Sequence, residues 1–145
     1  MKKEDVKANT IYYSTNYEVL REVIAKTDEI KKNDLSKDEF ALRLGKYIFN
    51  KTGMVLVSFG EDKKLNGCIV ISRQLDKIGE YLWVDFAWIF PGCKDLRDKF
   101  YDEIIEQCKT RGIKRIQARM NKGFKAMEKL FGAKEIARII EKEVI

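Results

Sequence analysis

The sequence predicts an α+β (α/β) domain in which a mixed, mostly antiparallel central sheet of about six strands is flanked by about four helices. Three observations predict this class. The stretch 80–132 reads as strand, break, helix, strand and helix, which is typical of a βαβ crossover with two parallel strands. Two short β-rich runs separated by polar turns precede it and form a meander with its first strand. Two stretches with apolar residues at helical spacing precede those runs.

The first third of the chain predicts a short strand and two amphipathic helices. The strand covers Thr10–Ser14. Thr15 and Glu18 fit a capping box at the start of the first helix, and Ser36 with Glu39 fits a second one. We expect Gly53 to close the second helix, because glycine is favoured just after the last helical turn.

The middle of the chain predicts an antiparallel meander of three strands, Met54–Phe59, Leu65–Gln74 and Glu80–Phe90. The last run is apolar on both faces, so we expect it to lie centrally in the sheet. Asp85 interrupts it, and alternation places Asp85 on the face of Tyr81, Trp83 and Ala87. A carboxylate there needs a partner or a chemical purpose, so two interpretations stay open: a structural ion pair and a functional acid–base group.

The last third begins with a break at Pro91-Gly92 and a helix over Lys94–Thr110 that stops at Gly112 in a Schellman turn. The apolar face of this helix is predicted to be an i, i+4 row of Leu96, Phe100, Ile104 and Cys108. The free N–H groups and positive dipole end of that helix start predict an anion site. Three more elements are expected beyond it: a strand at Ile113–Met120, a helix at Asn121–Phe131 and a last element at Lys134–Val144. The pattern of that last stretch fits a strand or a helix, and we favour a strand because it follows the glycine stop at Gly132.

Composition limits the chemistry. The 145 residues suit a single domain spanning 1–145. There is no histidine, which excludes His-based acid–base catalysis and His-containing metal sites, and we expect no metal. The three cysteines form no CxxC pair and fit reduced thiols.

The sequence also predicts where the protein acts and what it binds. No apolar run reaches membrane-spanning length and no signal peptide is visible, so we expect a cytoplasmic protein without membrane contact. The net charge of +6 favours phosphate-bearing ligands, but no nucleic-acid-binding motif accompanies it.

The order of these elements resembles that of the GNAT-type N-acetyltransferases. The resemblance covers most of the chain and is clearest in the segments 111–116 and 121–135, which look like the family's helix stop and its Asn-start helix with a closing glycine. It implies that acetyl-CoA is the co-substrate, with its pantetheine arm between two splayed parallel strands and its pyrophosphate at the helix start. The implied cofactor-binding residues are Phe86, Trp88, Ile89, Cys93, Lys94, Asp95, Leu96, Arg97, Asn121 and Phe124.

The sequence departs from the family pattern at three places. Gly92, Asp95 and Arg97 stand at the positions of the pyrophosphate loop Q/R-x-x-G-x-G/A, so neither loop glycine is present. Asp95 repels phosphate, whereas Arg97 and its neighbouring lysines attract it. Met127 stands where the family often has a Tyr that protonates the leaving thiolate. Tyr101 and Tyr81 are the substitute candidates, although nothing in the sequence places either of them at the site. Only 13 residues follow Gly132, too few for the usual long hairpin, so the acceptor wall is either incomplete or completed by a second subunit in a homodimer.

Two functions follow from the resemblance. The favoured one is an N-acyltransferase that moves an acetyl or other acyl group to a primary amine of a small molecule or peptide by direct attack. Asp85 and Glu80 are its candidate general bases, and an N–H near Phe86–Ile89 is its candidate carbonyl donor. The alternative is a non-catalytic interaction protein of the same fold that has lost the use of acetyl-CoA. The sequence identifies neither the acceptor nor a general acid.

Overall fold

The computed structural model describes residues 5–30, 36–119, 124–137, 140 and 142–144. Within these ranges five strands and four helices follow one another: β1 (Tyr12–Tyr13), α1 (Tyr17–Ile30), α2 (Lys37–Asn50), β2 (Gly53–Phe59), β3 (Leu65–Leu75), β4 (Glu80–Ile89), α3 (Lys94–Arg111), β5 (Ile116–Ala118) and α4 (Phe124–Phe131).

The strands form one sheet in the order β1-β2-β3-β4-β5. Every neighbouring pair is antiparallel except β4 and β5, which are parallel. The predicted fold class, meander and crossover are therefore confirmed. The predicted number of strands was too high, because the described part of Lys134–Val144 forms neither strand nor helix. Ile136, Ile140 and Val144 are exposed there, so they bury too little apolar surface to stabilise a sixth strand.

The sheet has a hydrophobic core on each face. On one face α1 and α2 contribute Val23 and Phe40, which pack with Val55 and Val70 of the sheet. On the other face α3 presents the row of side chains predicted from its i, i+4 spacing, and all four of them are buried: Leu96, Phe100, Ile104 and Cys108. Both faces of the sheet are thus covered by helices, as the apolar pattern of β4 indicated.

Two predicted helix signals were wrong and one is confirmed. Asn16, not Thr15, caps α1, because its Oδ1 accepts hydrogen bonds from the N–H groups of Glu18 (2.9 Å) and Val19 (3.4 Å). The capping box of Ser36 at the start of α2 is present. Lys51, not Gly53, takes the left-handed conformation after α2. Gly53 instead begins β2.

The end of α3 is as predicted. Gly112 has φ +68°, and Ile113 donates its N–H to the Cys108 carbonyl oxygen at 2.9 Å. β5 is shorter than expected, since Ile113 lies before it as a buried core residue and Met120 lies outside the described residues.

No helix in the described ranges is long and apolar enough to cross a membrane. Nor do those ranges contain a group of three or more Cys, Asp or Glu side chains arranged to hold a metal ion.

Candidate active site

A β-bulge at Asp85 organises the centre of β4. Val70 pairs with Phe86 and Ile71 pairs with Val84, so Asp85 is an extra residue without a partner on β3. A bulge of this kind changes which residues of a strand share a face. Asp85 and Phe86 consequently both lie on the α1/α2 face. The sequence-based assignment of Asp85 to the face of Ala87 was wrong, because simple alternation does not allow for the extra residue.

Among the described residues, the pairing of β4 with β5 ends at the same point. It runs from Leu82 with Ile116 to Val84 with Ala118, whereas β4 continues to Ile89. The segment 85–89 of β4 therefore extends beyond the last paired residues of the two parallel strands. A ligand reaching the sheet between these strands would enter at this position.

The backbone amides of that segment alternate between the two edges of β4. Phe90 donates its N–H to the Asn66 carbonyl oxygen of β3 at 2.8 Å. Because consecutive residues of a strand direct their N–H groups to opposite edges, we infer that those of Ala87 and Ile89 point away from β3. They point to the edge where no further pairing with β5 occurs among the described residues.

The turn after β4 leads directly into an uncapped helix start. Gly92 has φ +91°, a conformation that favours glycine, and Cys93 is the N-cap residue of α3 without a side-chain capping hydrogen bond. The Arg97 N–H donates to the Cys93 carbonyl oxygen at 3.2 Å. The N–H groups of Lys94, Asp95 and Leu96 precede it and have no carbonyl partner within their own helix. This end of α3 can therefore bind an anion.

The charges of the first turns of α3 have mixed signs. Lys94 and Asp95 are both exposed. The Arg97 Nε atom is buried and makes no hydrogen bond to the described residues, and the Asp98 Oδ1 atom lies 3.5 Å away from it. Lys99 donates to the Asn9 carbonyl oxygen at 2.9 Å. The positive charge of Arg97 at this end of the helix is therefore partly offset by Asp98.

The other residues predicted to touch the cofactor lie on both faces of the sheet. Phe86 and Leu96 are core side chains, only 5% and 3% exposed, so they would meet a ligand mainly through their backbone. Ile89 and Cys93 are half-buried against the α3-side core. Trp88 is half-buried on the other face, where the Lys26 ammonium lies 4.6 Å from its ring centroid. Asn121 and the side chain of Phe124 lie outside the described part of the chain.

Asp85 is the buried carboxylate of this region. Its side chain is 4% exposed. Its Oδ1 accepts a hydrogen bond from the Tyr47 hydroxyl (3.1 Å) and lies 3.2 Å from Nη2 of Arg43, and its Oδ2 accepts from the Ser72 hydroxyl (3.0 Å). Burial raises the pKa of Asp85, and these three partners together with a hydrogen bond from the Trp83 side chain offset part of that effect. The carboxylate is therefore both ion-paired and more basic than an ordinary aspartate.

Glu80, the other candidate base, has a different environment. It lies at the beginning of β4, five residues before Asp85, which is about 17 Å along an extended strand. Its Oε1 accepts a hydrogen bond from Arg73 Nε at 2.6 Å, and this bond lowers the pKa of Glu80. The structure does not bring Glu80 to the β4–α3 junction.

The general-acid candidates are also separated. The Tyr101 ring stacks on Phe131 of α4, with centroids 4.2 Å apart. The Tyr81 ring, one residue beyond the start of β4, lies 5.3 Å from the Arg115 guanidinium. Met127 is half-buried on α4.

Sequence reasoning missed the contacts of Arg43, Tyr47 and Ser72 with Asp85. Tyr47 follows Phe40 and Leu44 at helical spacing, which predicts only a core residue on the inward face of α2. Arg43 precedes it by four residues, a spacing that places both side chains on one side of a helix. That spacing was a usable signal, whereas the contact with Asp85 depends on how α2 packs on the sheet.

Comparison with known proteins supports the fold. No protein-family model matches this sequence, and no curated protein matches it either. Solved structures do. A protein from Pyrococcus furiosus named "Putative acetyl transferase" is 22% identical, with a TM-score of 0.72 over 93% of this chain and 99% of its own. A predicted acetyltransferase with acetyl-CoA from Clostridium acetobutylicum is 14% identical, with a TM-score of 0.71 over 92% and 96% of the two chains.

A GNAT family acetyltransferase from Staphylococcus aureus is 15% identical, with a TM-score of 0.68 over 93% of this chain and 98% of its own. At these identities the similarity establishes the fold. The chain has the fold of the GNAT-type N-acetyltransferases and spans nearly the whole length of these neighbours.

Proposed function

We propose that this protein is an N-acyltransferase that transfers an acetyl or related acyl group from acetyl-CoA to a primary amine of a small molecule or peptide. The observation that carries the proposal is the coincidence of three features along β4: the bulge at Asp85, the end of the pairing with β5, and the uncapped start of α3 shortly afterwards. In this fold, acetyl-CoA is expected at that position as the co-substrate.

The residues present fit such a co-substrate at the helix start. The free N–H groups of Lys94, Asp95 and Leu96 suit a pyrophosphate, because a helix N-terminus favours negative charge. Arg97 can pair with a phosphate through its guanidinium group, although its buried Nε lies 3.5 Å from Asp98 Oδ1. Asp95 opposes this attraction, so we expect weaker binding than a glycine-rich loop would give.

The chemistry proposed for the protein is direct attack. The amine nitrogen forms a bond to the thioester carbonyl carbon, and the C–S bond breaks to release the CoA thiolate. Negative charge develops on the carbonyl oxygen, and the N–H groups that we infer for Ala87 and Ile89 are positioned to stabilise it. The amine loses a proton, and Asp85 is the proposed acceptor because its pKa is raised above the usual aspartate value.

The Asp85 carboxylate can accept the proton of the amine although other side chains of the protein already bind it. An ionised carboxylate has about four lone-pair sites. Two sites on Oδ1 face Tyr47 and Arg43, and one on Oδ2 faces Ser72. The Trp83 side chain is a fourth hydrogen-bonding partner of this carboxylate, so in the proposed reaction the substrate proton reaches Asp85 by replacing one of these contacts.

The test is a pair of measurements on the whole chain. Calorimetry with acetyl-CoA measures binding, and thiol release over a panel of primary amines measures transfer. We expect binding and amine-dependent release, and we expect Arg97→Gln to weaken binding. Lys109→Gln is the matched control, since Lys109 is an exposed cation at the other end of α3. Absence of binding at millimolar acetyl-CoA would end the proposal.

The second candidate function is a non-catalytic interaction protein of this fold. Two observations favour it: Asp95 stands at the helix start, and the Asp85 carboxylate is occupied by an internal ion pair. It predicts that acetyl-CoA does not bind. Amine-dependent thiol release would rule it out.

A further inference from the structure

Tyr47 lies in the last turn of α2, between an exposed cation and the buried carboxylate of β4. Its hydroxyl accepts a hydrogen bond from Arg43 Nε at 2.7 Å and donates one to Asp85 Oδ1 at 3.1 Å. We propose that Tyr47, held by Arg43, is a positioning residue that fixes the Asp85 carboxylate at the β4 bulge. The proposal rests on the proposed function only in taking Asp85 as the base.

The bulge makes such a positioning residue necessary. Asp85 has no partner on β3, so strand pairing does not fix its backbone as it fixes its neighbours. Its side chain is held instead by hydrogen bonds, two of which come from β3 and α2. Ser72 of β3 donates to Oδ2 and is itself a hydrogen-bond acceptor for Gln74 Nε2 at 3.0 Å. Tyr47 supplies the hydrogen bond to Oδ1 from α2.

Arg43 determines the direction of the Tyr47 hydrogen bond. A guanidinium has donors but no acceptor, so the Tyr47 oxygen must accept from Arg43. The hydroxyl proton is then left for Asp85. Arg43 alone would hold the carboxylate less well, because its side chain is 45% exposed and an exposed arginine has many rotamers.

The position of Tyr47 is itself fixed by close packing. A Cβ atom on Gly53 would lie 2.5 Å from the Tyr47 Cβ and 2.8 Å from its Cγ. The Tyr47 carbonyl oxygen also accepts a hydrogen bond from the Thr52 N–H at 3.0 Å. Glycine at position 53 therefore lets the ring lie against the start of β2 while the hydroxyl reaches β4.

The groups that act on the Asp85 carboxylate come from three elements. α2 contributes the Arg43 charge and the Tyr47 hydroxyl, β3 contributes the Ser72 hydroxyl, and β4 contributes Trp83. Each of them favours the ionised form, whereas burial disfavours it. Removing Tyr47 or Arg43 from this set should raise the pKa of Asp85 further.

The experiment is a pH titration of the Asp85 carboxyl carbon by 13C NMR in protein labelled at the aspartate carboxyls, with Asp85→Asn to assign the signal. We expect the midpoint to move to higher pH in both Tyr47→Phe and Arg43→Gln. Tyr13→Phe is the matched control. It also removes a phenolic hydroxyl that binds a carboxylate, but that carboxylate belongs to Glu103. The Asp85 midpoint should not move in this control.

Two results decide the proposal. A midpoint in Tyr47→Phe equal to that of the unmodified protein overturns it, even if thermal stability falls, because a merely structural role changes stability alone. A raised midpoint supports it, and the acid limb of kcat/KM should then move by the same amount. If the midpoint rises but the protein transfers no acetyl group, the positioning role stands and the proposed function fails.

Discussion

Gly53→Ala tests how tightly α2 is packed against the sheet beside the candidate base. The added Cβ would meet the Tyr47 Cβ at 2.5 Å, the Tyr47 Cγ at 2.8 Å and the Ile71 carbonyl oxygen at 3.0 Å. A rotamer change at Tyr47 cannot relieve the shortest contact, because the Cβ is attached directly to the helix backbone. Either the end of α2 or the start of β2 must therefore move.

We expect this overpacking to cost about 1–3 kcal/mol of unfolding free energy. Gly45→Ala is the matched control. Gly45 lies within α2, and a methyl group added to it would have no neighbouring atom within 4 Å. A helix interior favours alanine over glycine by up to about 1 kcal/mol. Both variants exchange the same residue types, so the change in unfolded-chain entropy is nearly the same and largely cancels in the comparison.

The assay is urea unfolding followed by circular dichroism, with thermal scans as a second measure. For a chain of this length about 1 kcal/mol corresponds to about 4 °C in Tm. We expect Gly53→Ala to melt about 4–12 °C below the unmodified protein, and Gly45→Ala to melt at or slightly above it. If Gly53→Ala were as stable as Gly45→Ala, the close contact between Tyr47 and β2 would be refuted.

Three further predictions concern charged and titrating groups. Asp85→Asn should lower kcat/KM by about 10²–10⁴-fold while leaving acetyl-CoA affinity unchanged, as measured by kinetics and calorimetry, and equal losses in both would contradict its role as base. Burial raises the pKa of the Cys68 thiol to about 12 from 9.0. Because the unfolded thiol ionises first, stability from this group is complete below pH 9.0 and is lost as the pH rises towards 12, so Cys68→Ala should flatten that alkaline decline in urea unfolding. Arg115 binds Asp76 through two hydrogen bonds (2.7 and 2.9 Å) and lowers the pKa of that carboxyl. This contribution is present above the unfolded value of 3.8 and is lost as the pH falls below it, so Arg115→Gln should show a smaller acid-induced loss of stability.

Local patterns in the sequence predicted most of the fold. The row Leu96, Phe100, Ile104 and Cys108 and the stop at Gly112 place α3 correctly, because helical spacing and a left-handed glycine are properties of short stretches. The two errors at helix ends, Thr15 and Gly53, arise where two residues close together in the sequence can each cap the helix. Which one serves depends on how the chain enters or leaves the helix in three dimensions.

The candidate site was predictable in its location but not in its partners. The break after β4 and the carboxylate in its middle are visible as a proline–glycine pair and as one charge in an apolar run. The bulge is not visible, because it is a property of the pairing between β3 and β4. The contacts of Arg43, Tyr47 and Ser72 with Asp85 join residues 13 to 42 positions apart in sequence, so they depend on tertiary packing.

Amide chemical shifts of 15N-labelled protein during an acetyl-CoA titration would show whether the co-substrate binds at the β4–α3 junction. We expect the largest changes on residues 87–89 of β4 and 93–97 at the start of α3. Binding at this junction would be contradicted if the largest shift changes instead occurred at Lys51, Thr52, Arg73 and Arg111, which line a depression between α3 and the sheet. It would also be contradicted if saturating acetyl-CoA changed no amide chemical shift.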